Sequence, residues 1–306
     1  MTSVDPLIAS AIGAAVPLVY ASLGELVAER SGVLNLGVEG MMLVGALASF
    51  VAVAHGGGLA LAVCAGVLAG ALAALAFAVL ALSFQASHVA AGLALTILGT
   101  GLSAFLGRGY VGFRAPASFD ELAFPALSGL PIVGPVFSMN LLGYTAVLMV
   151  AATAWFLART RWGLVLRTVG ESPAVARSLG LPVTRVRYAA TLFGGAMAGL
   201  AGCYYAVAQF KMWQEGLTSG NGWIALALVV FAGWRPQRLL VGALLFGGVT
   251  AFGLTLQAAG MHVSPFALSS LPYLVTIAVL VLISSDERAL RRHAPAALGK
   301  RFFDGD

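Results

Sequence analysis

Residues 159–188 read Arg159-Thr-Arg-Trp-Gly-Leu-Val-Leu-Arg-Thr-Val-Gly-Glu-Ser-Pro-Ala-Val-Ala-Arg-Ser-Leu-Gly-Leu-Pro-Val-Thr-Arg-Val-Arg-Tyr188. Six arginines fall in this stretch, in a chain that is 60% hydrophobic and only 9% charged, with long apolar runs on both sides. A soluble domain carries roughly 25% charged residues. The chain is therefore an integral membrane protein, and the arginines mark a loop between spans. Inside the loop is a complete signal for a very short helix. Ser172 suits an N-cap, Pro173 the first helical position, and Gly180 the left-handed residue that ends a helix. About two turns separate those signals, and an isolated helix of that length does not hold in water. The expectation is that a second protein holds it.

Outward from the loop, crossing the hydrocarbon takes about 20 apolar residues. Candidate spans are 6–24, 32–54, 59–82, 88–107, 140–158, 188–208, 239–257 and 266–284. A further apolar piece, Trp223 to Gly233, is too short. At 1.5 Å per residue it reaches about 16 Å, half of a ~30 Å core. Charge decides its role. If it crosses with its flanks, and the loop is cytoplasmic, the inside holds Arg30, the loop arginines, Arg235, Arg238, Arg288, Arg291, Arg292, Lys300 and Arg301. Only Arg108, Arg114 and Lys211 then lie outside. If it does not cross, every later residue changes side and the basic majority moves outside, against the positive-inside bias.

The expected architecture is an all-α polytopic membrane protein of about nine transmembrane helices, the seventh short or broken, in one transmembrane domain over 1–306. The N-terminus is expected outside and the tail 285–306 in the cytoplasm. The first apolar segment has no Lys or Arg before it, so it reads as a retained span and not as a signal peptide. The outside segment 108–139 is rich in Pro and Gly and is expected to carry short helices on the membrane surface. The net charge of +5 sits in loops, as topology determinants and not as a nucleic-acid surface. Cys64 and Cys203 lie in apolar runs and are expected to be buried free thiols. His55, His88, His262 and His293 are scattered, without the spacing of a metal site. Leu-Val-Gly-Ala-Leu occurs at 43–47 and again at 240–244, through an inverted duplication or by chance.

The second informative stretch is Glu29-Arg-Ser-Gly-Val-Leu-Asn-Leu-Gly-Val-Glu-Gly-Met-Met42. Glycine in a helix costs about 1 kcal/mol against Ala, and a membrane Glu costs several unless paired or hydrated. Such a run means close helix packing or a broken helix lining a cavity. Packing is the reading for Gly32, Gly37, Gly40 and Gly45. For Asn35 and Glu39, a hydrogen bond tying a helix break together and a contact to solute stand equal. Ser83, Gln85, His88, Thr96, Thr100 and Gln257 are further polar residues in or near spans. Membrane Ser and Thr usually bond their own helix backbone, and His88 reads as a satisfied interfacial histidine. Trp223, Phe231 and Trp234 read as interfacial anchors, with stacking on a sugar or nucleobase as the sharper alternative.

Together, Ser31-Gly-Val-Leu-Asn-Leu-Gly-Val-Glu-Gly-Met-Met42 and Val169-Gly-Glu-Ser-Pro-Ala-Val-Ala-Arg-Ser-Leu-Gly180 resemble permease subunits of ABC importers of the branched-chain amino acid and ribose class. The simple-sugar and nucleoside branch is the most similar, with Asn-Leu-Gly-x-Glu-Gly-Met as its signature. Gly222-Trp-Ile-Ala-Leu-Ala227 and Phe231-Ala-Gly-Trp-Arg-Pro236 fit as well. The resemblance implies that the loop 159–187 carries a coupling helix docking on a cytoplasmic ATP-binding subunit through Gly170, Glu171, Ser172, Ala176, Arg177, Leu179 and Gly180. It implies a solute path near Asn35, Gly37, Glu39, Met42, Thr96 and Trp223, at an interface with a second homologous permease, as a heterodimer. An extracytoplasmic binding protein would dock near Arg108 and Arg114, which could equally bind lipid headgroups.

The only lysines, Lys211 and Lys300, do not follow the Gly-x-x-x-x-Gly pattern of a phosphate-binding loop. The expectation is a transport subunit that is not an enzyme and holds no cofactor, with ATP and Mg on its partner, in a bacterial cytoplasmic membrane. An ion-coupled secondary transporter would need intramembrane acids, and Glu39 is the one counted. A fixed-charge solute would need a buried counter-charge, again Glu39 alone. Neutral solutes therefore fit better than branched-chain amino acids, with a nucleoside first and a simple sugar next.

Overall fold

The computed structural model describes residues 5–122, 128, 130, 133–258, isolated positions between 270 and 281, and 294–302. Ten helices run through them. These are α1 (Asp5–Arg30), α2 (Val38–Ala54), α3 (Leu59–Ala78), α4 (His88–Gly107), α5 (Leu141–Arg159), α6 (Arg161–Glu171), α7 (Pro173–Ser178), α8 (Val183–Cys203), α9 (Asn221–Phe231) and α10 (Pro236–Ala258). Wider π turns extend α3 over Val79–Ser83 and α8 over Tyr204–Gln209. Among the described residues, six helices are long and apolar enough to cross a membrane, and α2 and α9 are shorter apolar helices. Much of the expected span 266–284 and most of the tail 285–306 lie outside the described residues; the described positions between 270 and 281 are helical.

Three boundaries differ from the sequence reading, each for a local reason. α1 does not stop near 24 but runs on to Arg30, because Glu25 and Glu29 find hydrogen-bond donors in the interior. The second span does not begin helically at 32. Gly32 at φ +90° ends α1 in a turn, and Ser31–Gly37 passes as irregular chain to α2 at Val38. α8 starts at Val183, directly after Pro182, and Arg187 is drawn into the interior, where its Nε bonds the Ser31 carbonyl. The 108–139 segment also departs from surface helices. Short 3-10 turns over Arg108–Tyr110 and Gly134–Phe137 are its only described helical parts. Val111 and Arg114 pair in extended conformation with Trp213 and Met212.

The core is built around α8. Lipid tails are as apolar as Leu, so helices in a membrane associate through close packing and need small residues where they meet. α3 supplies Gly66 and Gly70, and α8 supplies Gly195 and Gly199, each pair four residues apart and therefore on one face. A methyl built on Gly199 would lie 3.1 Å from Gly70 Cα and closer still to the Gly66 carbonyl. α2 packs by the same device, with Gly45 against Gly199 and Gly40 against Gly99 of α4. The packing reading of the glycines in the second stretch thus holds for Gly40 and Gly45. Gly199→Ala is expected to cost roughly 1–3 kcal/mol of stability through overpacking. Gly101→Ala, where a methyl meets nothing within 4 Å, is the control. Equal melting temperatures for the two solubilised variants would refute a close-packed seam.

The short apolar piece is built as a loop followed by the short apolar helix α9. Trp213 lies with Phe50, near the end of α2, and below Gly107 at the end of α4. From there the chain descends through buried Leu217 and Thr218 to Glu39 at the start of α2. α9 then runs to Trp234, which bonds Glu29 and Arg30 at the far end of α1, the end that also packs on the arginine loop. The described backbone is irregular up to Gly220 and helical over Asn221–Phe231.

Candidate functional site

Two regions concentrate polar chemistry, the chain break before α2 with its partner α9, and the arginine loop. Within Ser31–Gly37 the backbone is out of helix and cannot satisfy itself, and buried backbone polar groups need partners. They come from α1, α4 and α8. Asn35 N–H donates to Glu25 Oε1 at 3.0 Å, and Leu34 N–H donates to His88 Nδ1 at 3.4 Å. Arg187 Nε donates to the Ser31 carbonyl at 3.2 Å, and Thr96 Oγ1 to the Leu36 carbonyl at 2.9 Å. The Asn35 side chain accepts from Gly37 N–H at 2.9 Å, closing its own turn, and its Nδ2 reaches Met41 Sδ. The tail adds one clamp, with Gly299 N–H on the Gly32 carbonyl at 3.0 Å.

Glu39 faces the opposite way. Its carboxylate accepts from Gly220 N–H at 2.8 Å, from Gly222 N–H at 2.6 Å and from the Thr218 hydroxyl. The first N–H groups of any helix lack internal partners, and a negative charge there is favoured by the helix dipole. Glu39 is the N-terminal cap of α9, supplied from another helix. The far end of α9 is held in kind. Trp234 Nε1 donates to Glu29, and Arg30 Nη2 donates to the Trp234 carbonyl at 2.9 Å. Trp234→Phe removes that donor and leaves a buried carboxylate short of a partner, an expected loss of about 2–3 kcal/mol. Adding Glu29→Leu removes both partners and is expected to recover most of that loss in thermal unfolding. No recovery in the double variant would argue against the pairing.

The expected path residues therefore divide. Asn35 and Gly37 are buried within the break, Glu39 and Met42 are buried at the start of α2, and Gly37 lies against Leu95. Thr96 is half-buried on α4, and Trp223 half-buried in the first turn of α9. Trp234 is 3% exposed, so it is a packed, hydrogen-bonded side chain and not an interfacial anchor. His88 is likewise buried rather than interfacial, its Nε2 without a partner among the described residues. Glu25 and Glu29 are buried acids that the sequence count omitted when it left Glu39 as the sole intramembrane acid. The missed signal was their spacing. Four residues apart and followed by Arg30, they continue the register of α1. Arg108 and Arg114 are exposed, at the paired strands beside Trp213.

In the arginine loop, Ser172 Oγ accepts from Val175 N–H, Pro173 opens α7, and Gly180 takes φ +75°. Leu181 N–H bonds the Ala176 carbonyl at 3.0 Å, and Gly180 N–H the Arg177 carbonyl at 2.8 Å. Both caps stand as the sequence implied. α6, a second helix of 11 residues, leads into α7. Glu171, Arg177, Leu179 and Gly180 are exposed, with Leu179 at 67%, while Gly170 and Ala176 are buried and Ser172 is half-buried. Gly170 packs on Arg30, and its carbonyl accepts from Ala297 N–H at 3.0 Å, so loop, α1 and tail are stitched together. Among the described residues no group of His, Cys, Asp and Glu could hold a metal ion.

A model of the family described as branched-chain amino acid transport system, permease component, matches residues 7–284. The chain belongs to this family. It is a permease component of an ABC transporter, multi-pass in the membrane and not itself an enzyme, and such permeases work with an ATP-binding subunit and a substrate-binding protein. TsgC13 of Haloferax volcanii, a permease protein named for glucose ABC transport, is 41% identical over 95% of each chain. The guanosine ABC transporter permease protein NupQ of Bacillus subtilis is 33% identical over 95% of this chain and 94% of its own. The nucleoside ABC transporter permease protein NupC of Lactococcus lactis is 33% identical over 87% and 88%. A solved ABC transporter described as metal-chelate type, inward-facing, superposes with a TM-score of 0.51 at 18% identity, covering 92% of this chain and 86% of that one. This last likeness speaks for the fold alone.

Proposed function

We propose that the ABC permease imports a neutral, sugar-bearing solute, a nucleoside or a simple sugar, and is driven through α7. The observation that carries the reading is the capped, exposed α7 on a loop stitched to Arg30. An ATP-binding subunit, holding ATP and Mg, would grip Glu171, Arg177, Leu179 and Gly180, with Gly170 and Ala176 seating the helix from below. Its closure would move α6, the Arg30 turn and the Trp234 end of α9 together. The basic count supports a cytoplasmic position for this face, with nine crossings of the cytoplasmic membrane and the N-terminus outside. Arg108 and Arg114 would then meet the binding protein. The break around Asn35 and Glu39, with Thr96 and Trp223 near it, would border the solute path.

The solute class is supported by the relatives, named for glucose on one side and for guanosine and nucleosides on the other. A heterodimer is supported by a second Haloferax volcanii relative, the glucose ABC transporter permease protein TsgB13, 29% identical over 80% of this chain. The test is uptake by proteoliposomes carrying the whole transporter, with a panel of nucleosides, hexoses and branched-chain amino acids. ATP-dependent uptake of a nucleoside or hexose is expected. Uptake of leucine alone, or uptake driven by an ion gradient without ATP, would refute the reading.

A further inference from the structure

Between α5 and α8, on the half of the span nearest the arginine loop, lies a groove of about 620 Å³. Val27 of α1 lies at its base, Phe156 and Phe193 face it from α5 and α8, and Leu166 of α6 closes the loop end. Its size falls within the roughly 300–1,000 Å³ of small-molecule sites, which would nominate it for the transported solute. Its chemistry does not. Thr153, Trp162 and Arg185 carry the only polar side-chain atoms in the lining. A sugar-bearing solute would leave most of its hydroxyls unpaired there, each at a cost of about 1–3 kcal/mol. An amphiphile with a long apolar part and one charged end is what the walls fit.

The charged end can be placed. Arg185 lies in the first turn of α8, is exposed, and makes no hydrogen bond or ion pair with a described residue. Arg159, the last residue of α5, and Arg161, the first of α6, are also exposed and free of such partners. Trp162 is 66% exposed at the same end, where an indole suits the boundary between headgroups and hydrocarbon. From Arg185 to Phe193 the groove follows α8 for about 12 Å, the depth of much of one leaflet. Basic pockets between membrane helices are known seats for anionic headgroups.

We propose that the groove holds an anionic phospholipid of the leaflet on the arginine-loop side. One acyl chain lies along α8 toward Phe193, and the phosphate sits on the Arg185 guanidinium, in the fork geometry that suits phosphate oxygens. The lipid fills the gap between α5 and α8 and touches α6 through Trp162 and Leu166. It thereby braces the helix that carries α7.

The experiment is native mass spectrometry of the purified, delipidated transporter titrated with phosphatidylglycerol or phosphatidylcholine. Phosphatidylglycerol is expected to be retained in preference, one molecule per copy of this chain. Arg185→Gln is expected to weaken that retention about fivefold, the effect of one basic residue beside an anionic headgroup. Ala152→Trp, at an exposed position lining the groove, is expected to abolish the tight binding of either lipid. Equal retention of the two lipids, or full retention of phosphatidylglycerol in both variants, would overturn the proposal. So would a photo-cross-linker at position 152 that captures residues 259–293 of the chain itself instead of lipid. None of these readouts depends on which solute is transported.

Discussion

Replacing Gly180 with valine is expected to reduce ATP-driven uptake more than tenfold while the permease still folds and inserts. Gly180 sits at φ +75°, where a Cβ crowds the backbone and a β-branched side chain crowds it most. α7 has only six residues, so no run of internal hydrogen bonds compensates for the lost cap. The bond from Leu181 N–H to the Ala176 carbonyl would go with it. A methyl on Gly180 meets nothing within 4 Å, so the effect is conformational and local to α7. Asparagine visits the left-handed region readily, and Gly180→Asn is expected to retain most uptake. The measurements are uptake and solute-stimulated ATP hydrolysis in proteoliposomes. Wild-type uptake by the valine variant would refute a docking role for α7.

The second large effect is expected at Glu39. Its carboxylate serves three donors in a site where it is 6% exposed. Glu39→Ala strands all three, and at about 1–3 kcal/mol for each buried unsatisfied group the loss is roughly 3–5 kcal/mol, given partial relaxation. Glu39→Gln keeps the shape but turns an NH₂ toward a backbone N–H, so it should lie between alanine and wild type. Thermal unfolding of the solubilised permease and uptake should fall together. Reduced uptake at unchanged stability in Glu39→Gln would instead mark the carboxylate as a solute contact. The Thr218→Ala variant separates the contributions, because it removes one donor and leaves the two N–H bonds to α9.

The sequence made visible what is local or cumulative. Ser172, Pro173 and Gly180 lie within nine residues and speak through short-range geometry, so both caps of α7 could be read directly. The expectation that Trp223 to Gly233 crosses irregularly rests on summed charge, which needs no coordinates. The break before α2 was legible as an oddity of composition but not in its wiring. Glu39 meets Thr218, Gly220 and Gly222 across about 180 positions of chain, and Glu29 meets Trp234 across 205. Acids at 25 and 29 look like the end of a span when their donors are that remote. For that reason the sequence reading ends α1 too early and makes Trp234 an interfacial anchor. The exposed positions of α7 separate from buried Gly170 and Ala176 only through the packing of α6 on Arg30.

The Glu39 cap also bears on which solutes the protein can refuse. A half-helix ending inside a membrane presents a partial positive charge, roughly half an elementary unit, at its N-terminus, and transporters of anionic solutes use such ends as seats for carboxylates. Here the seat is taken. A carboxylate of the chain itself neutralises the end of α9 and leaves a net negative charge at that level. A solute carboxylate arriving there would meet repulsion and no donor, whereas a hydroxyl-bearing neutral molecule would not. If the solute path passes this level, charge rejection would be a by-product of how α9 is fastened.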